Sequence, residues 1–359
     1  YHFLNIYVSP EWMTEEYRDS VPHEIPPVIE KYFNNLFCHN VATVDFVLDW
    51  WANSLFDRTL GMLTLASSTQ GNGKTTCLKI LGALHPNGRV LNSGEWIKEK
   101  FSGSLVNKSL NFIDEFGIKN DIEHNRFKNK VSNNNQTTRQ MFQDEGAMIK
   151  QPISYCAATN NPGGLHMRDD ARRYIIPNIT DKKLTEYMTE DEIDQIIALE
   201  SAFTSKGTEE SKRVLASLGW FLFDMYNNRE EELKPSHFEK FKSENFWNCL
   251  YESFAEPWKK AFIDFIEDKC EPGIIRSYMD FKFEAFHDTV DKKFEPSPKK
   301  ALTWLTKFNW KGQTLAKIHT KHKEENETIL RITFDINNYY GTEYDNFSLI
   351  ESNLEEDLL

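Results

Sequence analysis

The chain has 359 residues, a mass of 42.1 kDa and a formal net charge of -13 at pH 7. Hydrophobic residues make up 40% and aromatic residues 13% of it, which is ample material for packed cores and excludes global disorder. Mean hydropathy is -0.58, and no apolar run reaches the roughly 18 residues of a membrane span, so we expect no membrane association. The length favours two or three domains.

The cysteines and the distribution of charge further limit which kinds of protein the chain can be. The five cysteines are scattered and never form a C-x-x-C pair, which argues against a structural zinc site or a disulfide framework and fits a reducing cytoplasm. The net negative charge repels nucleic acid at long range, but it does not exclude binding in a local basic channel. Residues 298–323 carry seven Lys and no acid, whereas residues 343–359 carry six acids and no base. The first residues lack the basic start and apolar core of a signal peptide. The chain also lacks an initiator Met, which suggests a fragment of a longer protein.

Apolar periodicity predicts helices first and then a sheet. Apolar residues recur at helical spacing over residues 28–56. Short apolar runs then alternate with helical or polar segments, a pattern typical of an α/β fold with helices on both faces of a sheet. The predicted strands are residues 59–66, 109–113, 153–158 and 173–177.

Beyond these strands the pattern is mostly helical. Residues 182–256 carry almost no strand signal, and two β-like runs, 315–320 and 329–334, follow a further helix in the order expected of a winged helix. The composition of the acidic tail favours disorder. The predicted organisation is an N-terminal lead-in with helices (1–57), a core (58–181), a helical segment (182–256), a winged-helix domain (257–342) and the tail (343–359).

The sequence SSTQGNGKTT at 67–76 has the composition of a phosphate-binding loop. Glycines allow backbone N–H groups to approach phosphate oxygens, a Lys neutralises the terminal phosphates, and a Ser or Thr hydroxyl binds Mg²⁺. Ser68 stands where the pattern G-x-x-x-x-G-K-[ST] has its first Gly. A Gly-rich loop with a chance Lys is the alternative. The residues assigned to the nucleotide are Gly71, Asn72, Gly73, Lys74, Thr75 and Thr76.

Two later strands end in polar side chains. Asp114 and Glu115 close an apolar run 40 residues after Lys74. Beside a phosphate loop, such an Asp lies next to Mg²⁺ and such a Glu orients the attacking water. Asn160 ends the next strand, where an amide could hold that water or the γ-phosphate. Taken singly, each of these is also an ordinary strand end before a turn.

Arg172 and Arg173 open the last predicted strand. Two adjacent arginines fit a solvated strand edge. They equally fit an arginine finger, which stabilises the charge that develops on a transferring phosphoryl group.

Residues of about 58–178 resemble the superfamily 3 helicases of viruses, phages and mobile elements. The motifs occur in that family's order: Walker A at 67–76, Walker B at 111–116, the B′ segment at 127–150, motif C at 153–161, and then the arginines. The N-terminal segment resembles the lead-in of phage and plasmid primase-helicases. That resemblance implies a primase-polymerase domain upstream in the same polypeptide.

The resemblance implies an AAA+-like P-loop ATPase that assembles into a ring, usually a hexamer, around single-stranded DNA. Lys74 and Thr75 would then bind phosphate and Mg²⁺, Asp114 and Glu115 would hold the metal and the water, and Asn160 would be the sensor. Arg173, with Arg172 as second choice, would act on the nucleotide of a neighbouring subunit. Lys128 would also face that neighbour's nucleotide.

The DNA contacts implied by the resemblance lie in a pore hairpin running from Arg139 to Lys150, with Lys150 as the phosphate contact. The tip of this segment, QDEGA, is acidic where the family often has Lys or His. Lys317 and Lys321 in the Lys-rich stretch are therefore alternative DNA contacts.

We expect an ATP-dependent DNA helicase that acts in phage or mobile-element replication in the host cytoplasm. Two alternatives stay open. A small-molecule phosphotransferase would share the phosphate loop and use the arginines in a lid. An assembly module switched by ATP would bind nucleotide without turnover, and Ser68 is consistent with it.

Overall fold

The structure is a computed structural model that describes residues 9–57, 59–85, 89–92, 97, 108–132, 135–138, 147–150, 153–167, 171–229 and 237–269, and beyond them residues 274–276, 278–282, 304, 309–310, 313–318, 329–334 and 348–350. Contacts divide the chain into two units. The first comprises residues 1–166 and 172–249, and the second comprises residues 167–171 and 250–359.

Among the described residues, three helices precede the sheet of the first unit: α1 (Glu15–Ser20), α2 (Pro27–Leu36) and α3 (Val41–Phe56). The sequence predicted continuous helical character over 28–56, but the structure breaks it. Cys38 and His39 have φ angles of 58° and 56°, in the left-handed region, which a right-handed helix cannot contain. Asn40 then caps α3, because its side-chain oxygen accepts the N–H of Thr43 at 2.9 Å.

A five-stranded parallel sheet forms the centre of the first unit. In chain order its elements are β1 (Met62–Ala66), α4 (Lys74–Leu84), β2 (Arg89–Asn92), β3 (Leu110–Asp114), α5 (Asp121–Ser132), β6 (Ser154–Thr159) and β7 (Tyr174–Ile175). The strand order is β2-β3-β6-β1-β7, and every pairing is parallel. All four predicted strands are confirmed. Strand β2 was not predicted, because four residues at a sheet edge are too few to show a periodicity.

Helices cover both faces of this sheet, as predicted. Successive strand residues point to opposite faces. Ile175 belongs to the apolar core that also contains Cys77 and Leu81 of α4. On the other face, Tyr174 stacks on Phe127 of α5 with ring centroids 4.8 Å apart. The α/β class is therefore confirmed.

A β-hairpin lies between α5 and β6 in the chain. It pairs β4 (Asn135–Thr138) with β5 (Ala147–Lys150) in antiparallel fashion, and Asn135 lies opposite Lys150. Arg139 and the rest of the connection lie outside the described residues. Lys150 is thus at the base of the hairpin, at the end remote from its tip.

The described part of the segment 182–256 is helical and contains no strand, as predicted. Its helices are α6 (Leu184–Tyr187), α7 (Glu190–Leu199), α8 (Glu209–Asn227) and α9 (Glu244–Ser253). Helix α8 packs on Trp12, and a Cβ at Gly219 would lie 2.6 Å from the indole ring. Trp12 in turn donates its Nε1–H to the carbonyl of Leu84 at 2.9 Å, at the end of α4. These contacts tie the helical segment to the helix that follows the glycine-rich turn.

The described residues of the second unit form α10 (Pro257–Lys269) and six strands: β8 (Ile274–Arg276), β9 (Tyr278–Lys282), β10 (Asn309–Trp310), β11 (Gln313–Ile318), β12 (Ile329–Phe334) and β13 (Ser348–Ile350). Strands β10-β11-β12-β9 form an antiparallel sheet, and β13 pairs with β8 in parallel. The two β-like runs predicted here supply β11 and β12, while the winged helix stays a prediction. Three residues of the predicted disordered tail form β13. No helix in the described part of the chain is long and apolar enough to cross a bilayer.

Candidate functional site

The carboxyl ends of parallel strands lie at one end of a sheet, and the predicted glycine-rich loop, Asp114, Glu115 and Asn160 lie there. Residues 67–73, which we call the glycine loop, connect β1 to α4. Gly71 and Gly73 have φ angles of 78° and 97°, a region that glycine adopts without strain. Gly73 directly precedes Lys74, the first residue of α4, so the helix starts where the loop closes. A strand, a glycine loop and a helix N-terminus together present backbone N–H groups to an anion.

Ser68 does not distort this loop. Its φ angle is not positive, so its backbone lies in a region open to any L-residue. The side chain is exposed. The missing first Gly of the sequence pattern therefore has no conformational consequence in this chain.

The ammonium group of Lys74 lies over the glycine loop. The residue is only 4% exposed, and its Nζ donates to the carbonyl of Thr69 at 2.7 Å and to Oδ1 of Asn72 at 3.3 Å. Burial lowers the pKa of Lys74, and the Asp114 carboxylate partly opposes that shift. Neutral oxygens hold the cation, and no ion pair to it occurs in the described part of the chain. A buried cation held in this way gains most from an anion that enters the loop.

The predicted metal ligands are in contact. Thr75 donates its hydroxyl to Oδ1 of Asp114 at 3.3 Å, across 39 positions of sequence. The strand order explains this contact, since β3 lies two positions from β1 and ends at the same edge. A hydroxyl and a carboxylate are the hard oxygen ligands that Mg²⁺ prefers, together with water and phosphate. The residues present therefore fit this ion.

Glu115 projects from the same edge in a strained conformation. Its φ angle is 52°, in the left-handed region that non-glycine residues rarely occupy. Its own N–H donates to Oδ1 of Asp114 at 3.1 Å, and the next N–H, of Phe116, returns to the carbonyl of Ala158 on β6 at 2.9 Å. The exposed carboxylate of Glu115 is thus pushed out of the sheet beside Asp114. Strain of this kind is concentrated at functional sites.

Asn160 directly follows β6, the strand that lies between β1 and β3. Its exposed side chain makes no hydrogen bond to any other described residue. Asn161 behaves differently, because its Oδ1 accepts the N–H of Gly164 at 3.1 Å and caps the 3-10 turn Pro162–Leu165. Asn160 is therefore the amide that is available between the glycine loop and Asp114.

The two arginines lie at the amino ends of the strands, at the end of the sheet opposite the glycine loop. The carbonyl of Arg173 accepts the N–H of Met62 at 2.7 Å, at the amino end of β1. The strand from Met62 to Ala66 spans about 13 Å at roughly 3.3 Å per residue, so the arginines and Lys74 are separated by the height of the sheet. Arg173 donates its Nε–H to Oγ of Ser132 at 2.6 Å, and Arg172 is exposed.

Lys128 lies four residues before Ser132 on α5, on the same helix face. It is partly buried. For the DNA contacts, the structure gives only positions of the backbone: Lys150 opposite Asn135, and Lys317 opposite Leu330 on β12. Arg139 and Lys321 lie outside the described residues.

Sequence reasoning missed the residues that hold the glycine loop from outside. Tyr32 of α2 donates its hydroxyl to the carbonyl of Gly73 at 2.6 Å, and Tyr187 of α6 donates to the carbonyl of Asn72 at 2.7 Å. The Asn72 side chain, predicted to bind nucleotide, is buried and donates to the carbonyl of Thr180 at 3.1 Å. Its amide therefore braces the loop. No local sequence signal marks these tyrosines, because both come from distant helices.

Comparison with known proteins finds a matching family model and solved structures of similar fold. A model of a family of unknown function, DUF5906, matches residues 65–173, the span that holds the loop, both carboxylates, Asn160 and the arginines. No curated protein matches the chain.

Among solved structures, the chain is similar to the apo C-terminal region of NrS-1 (residues 305–718), with 13% identity and a TM-score of 0.57 over 93% of this chain and 80% of that one. The A form of the same apo region gives 13% identity and a TM-score of 0.55, again over 93% of this chain and 80% of that one. NrS-1 is a phage primase-polymerase. The predicted resemblance to such a C-terminal region is confirmed at the level of fold, whereas membership of superfamily 3 stays a prediction.

Proposed function

We propose that the chain is a P-loop ATPase that hydrolyses ATP with Mg²⁺. The observation that carries the proposal is the 3.3 Å contact between Thr75 and Asp114 beside the buried ammonium of Lys74. The three groups supply a hydroxyl, a carboxylate and a cation at the mouth of a glycine loop, which is the chemical set that a nucleoside triphosphate with its metal requires.

Each residue at the glycine loop has a separate role in the proposed hydrolysis. Backbone N–H groups of the glycine loop bind phosphate oxygens, and Lys74 binds the terminal ones. Thr75 and Asp114 hold Mg²⁺, which neutralises charge on the phosphates when bound. Glu115 orients the attacking water and accepts its proton, and Asn160 contacts that water or the γ-phosphate.

We further propose that the ATPase is a DNA helicase that works as an oligomeric ring, hexameric by analogy with superfamily 3, in phage or mobile-element replication in the host cytoplasm. The similarity in fold to the NrS-1 C-terminal region supports the replication context. The position of Arg172 and Arg173 supports assembly, because arginines at the far edge of the sheet can complete only the site of a neighbouring copy. In the ring, Lys128 shares that interface, and the β4–β5 hairpin contacts single-stranded DNA. An upstream primase-polymerase domain in the same polypeptide belongs to this proposal.

The ATPase rate, measured with and without single-stranded DNA alongside the mass in solution, tests the proposal. We expect hydrolysis stimulated by DNA and an oligomer in the presence of ATP. Lys74→Ala should abolish hydrolysis, and Glu115→Gln should bind ATP without turnover. Lys79→Ala is the matched control, since this lysine lies on the same helix α4 but pairs with Glu200 at 3.1 Å.

Three outcomes would overturn the proposal or part of it. Hydrolysis at the wild-type rate in Glu115→Gln would refute the role of that carboxylate. Phosphoryl transfer to a metabolite without stimulation by DNA would identify a small-molecule phosphotransferase. Nucleotide-dependent oligomers with negligible turnover would identify an assembly module.

A further inference from the structure

Three consecutive carbonyl groups of the glycine loop are each held by a donor outside the loop. These donors come from two helices, α2 and α6, that are far apart in sequence, and the carbonyl of Gly73 also accepts the N–H of Cys77 in the first turn of α4 at 2.9 Å. The pairs are Gly71 with the N–H of Leu184 at 2.8 Å, Asn72 with the hydroxyl of Tyr187 at 2.7 Å, and Gly73 with the hydroxyl of Tyr32 at 2.6 Å.

Holding these carbonyls determines where the loop's N–H groups point. In a planar trans peptide, the C=O of one residue and the N–H of the next point in opposite directions. Carbonyls drawn outward at 71–73 therefore turn the N–H groups of Asn72, Gly73 and Lys74 toward the inner side of the loop. In the described part of the chain, the first two donate to nothing, and that of Lys74 reaches only Oδ1 of Asn72 at 3.4 Å. These donors are therefore available to an anion.

The two phenols also explain the glycine at position 73. A Cβ there would lie 3.0 Å from both the ring edge and the hydroxyl of Tyr32, and 3.3 Å from the hydroxyl of Tyr187. The hydroxyls therefore lie tightly against the space that a side chain at this position would need. Glycine is needed for this approach as well as for the φ angle of 97°.

Both phenols stay protonated donors. Tyr32 is fully buried, and burial raises its pKa well above the ordinary value of 10.0. Burial also raises the pKa of Tyr187, with a smaller contribution from the Cys77 thiol. Each hydroxyl has a carbonyl acceptor, so both are fully used in holding the loop.

We propose that Tyr32 and Tyr187 are positioning residues that set the glycine loop in its anion-binding conformation before nucleotide arrives. This inference rests on the proposed function, since the anion it serves is the phosphate chain of a nucleoside di- or triphosphate. Preorganisation of this kind raises affinity because the loop need not be ordered during binding. Neither tyrosine touches the nucleotide in this arrangement, and both act through the backbone.

Removal of the two hydroxyls, singly and together, tests the inference. Tyr32→Phe and Tyr187→Phe keep the rings. Each should weaken Mg-ADP binding by calorimetry about fivefold, the change expected for one neutral hydrogen bond. The double variant should weaken it more than either single change does, and the two effects should be coupled because the hydroxyls hold neighbouring carbonyls of one loop. Tyr174→Phe is the matched control, because its buried hydroxyl also donates to a carbonyl, that of Leu165 at 2.8 Å, but away from the loop. It should bind ADP as the wild type does.

A second measurement separates this inference from the proposed function. Amide hydrogen exchange in the peptides covering 67–76 is followed in nucleotide-free protein. Both loop variants should exchange faster than wild type, and Tyr174→Phe should not, although all three lose one buried hydrogen bond. Wild-type protein that binds no ADP would overturn the proposed function, and exchange would still decide the positioning role. Unchanged exchange in both loop variants, or unchanged ADP affinity where the wild type binds, would overturn the positioning role.

Discussion

The guanidinium group of Arg173 donates from Nε to Oγ of Ser132 at 2.6 Å, at the edge of the sheet opposite Lys74. The interaction fixes the arginine against the end of α5, and the height of the sheet separates it from the glycine loop of its own chain. If this arginine serves nucleotide chemistry, as the proposed function requires, it does so across an interface between copies.

We therefore expect complementation between two inactive variants. Arg173→Ala should reduce ATP hydrolysis by about 10³–10⁵-fold, the usual contribution of an arginine finger. Lys74→Ala should also be inactive. A mixture of the two should regain activity, because some interfaces combine an intact loop from one copy with an intact arginine from the other. The measurement is the ATPase rate against mixing ratio, and a mixture that stays inactive would refute action in trans.

Ser132→Ala provides the control for this experiment. It removes the acceptor of Arg173 but keeps the guanidinium, so its loss of rate should be much smaller than that of Arg173→Ala. An equal loss would mean that the arginine acts through α5 of its own chain.

Glu115 should show a trade-off between stability and activity. Its left-handed backbone costs a non-glycine residue about 1–2 kcal/mol, a strain that glycine lacks. The free energy of unfolding of Glu115→Gly should therefore be about 1 kcal/mol higher than that of Glu115→Ala, so the glycine variant is the more stable one, even though glycine usually destabilises folded structure. Both variants should lose hydrolysis. Urea unfolding of the two variants measures the difference, and equal stabilities would show that the conformation carries no strain.

His85 should make stability depend on pH in the acid range. Its Nδ1 lies 3.0 Å from Oγ of Ser109 and its Nε2 3.3 Å from Oγ of Ser54. Because the Ser54 hydroxyl donates to the carbonyl of Trp51 at 2.8 Å, its oxygen accepts from Nε2–H, and Nδ1 accepts from Ser109. The site thus holds a neutral imidazole, and burial lowers the pKa of His85 from 6.5 to about 3.

The sign of this dependence follows from proton binding. Between these two pKa values the unfolded chain binds the proton and the folded chain does not. The stabilisation is complete above the unfolded pKa and is lost as pH falls, at about 1.4 kcal/mol per pH unit. In urea unfolding between about pH 6 and pH 4, the free energy of unfolding of His85→Gln should therefore change less steeply with pH than that of the wild type, by about 1.4 kcal/mol per pH unit. An unchanged slope would mean that His85 titrates normally.

The proposed DNA contacts can be tested through the salt dependence of binding. With a net charge of -13, affinity for single-stranded DNA must come from a local basic lining. The logarithm of the affinity should fall with log salt by about 0.7 for each phosphate contact. Lys150→Ala should lower affinity and reduce this slope by about one contact if the hairpin binds DNA. If Lys317→Ala and Lys321→Ala change both quantities and Lys150→Ala changes neither, the Lys-rich segment is the contact.

The sequence by itself determined the parts of the site that depend on local rules. Glycines before Lys74 predict a phosphate loop, and apolar runs that end in Asp114 and Asn160 predict buried strands with polar ends. The parallel sheet that alternation of strands and helices implied then brings those ends together. Such features are readable because short-range sterics and periodicity act over a few residues.

Only the tertiary structure decided which distant groups act on that loop. The contacts of Tyr32 and Tyr187 with the loop span 41 and 115 positions, and no periodicity encodes contacts of that range. The interruption at Cys38, the short strand β2 and the edge on which Arg173 lies are likewise products of packing. Long-range contacts depend on how whole elements pack against one another, so the residues that shape the loop could be found only in the folded chain.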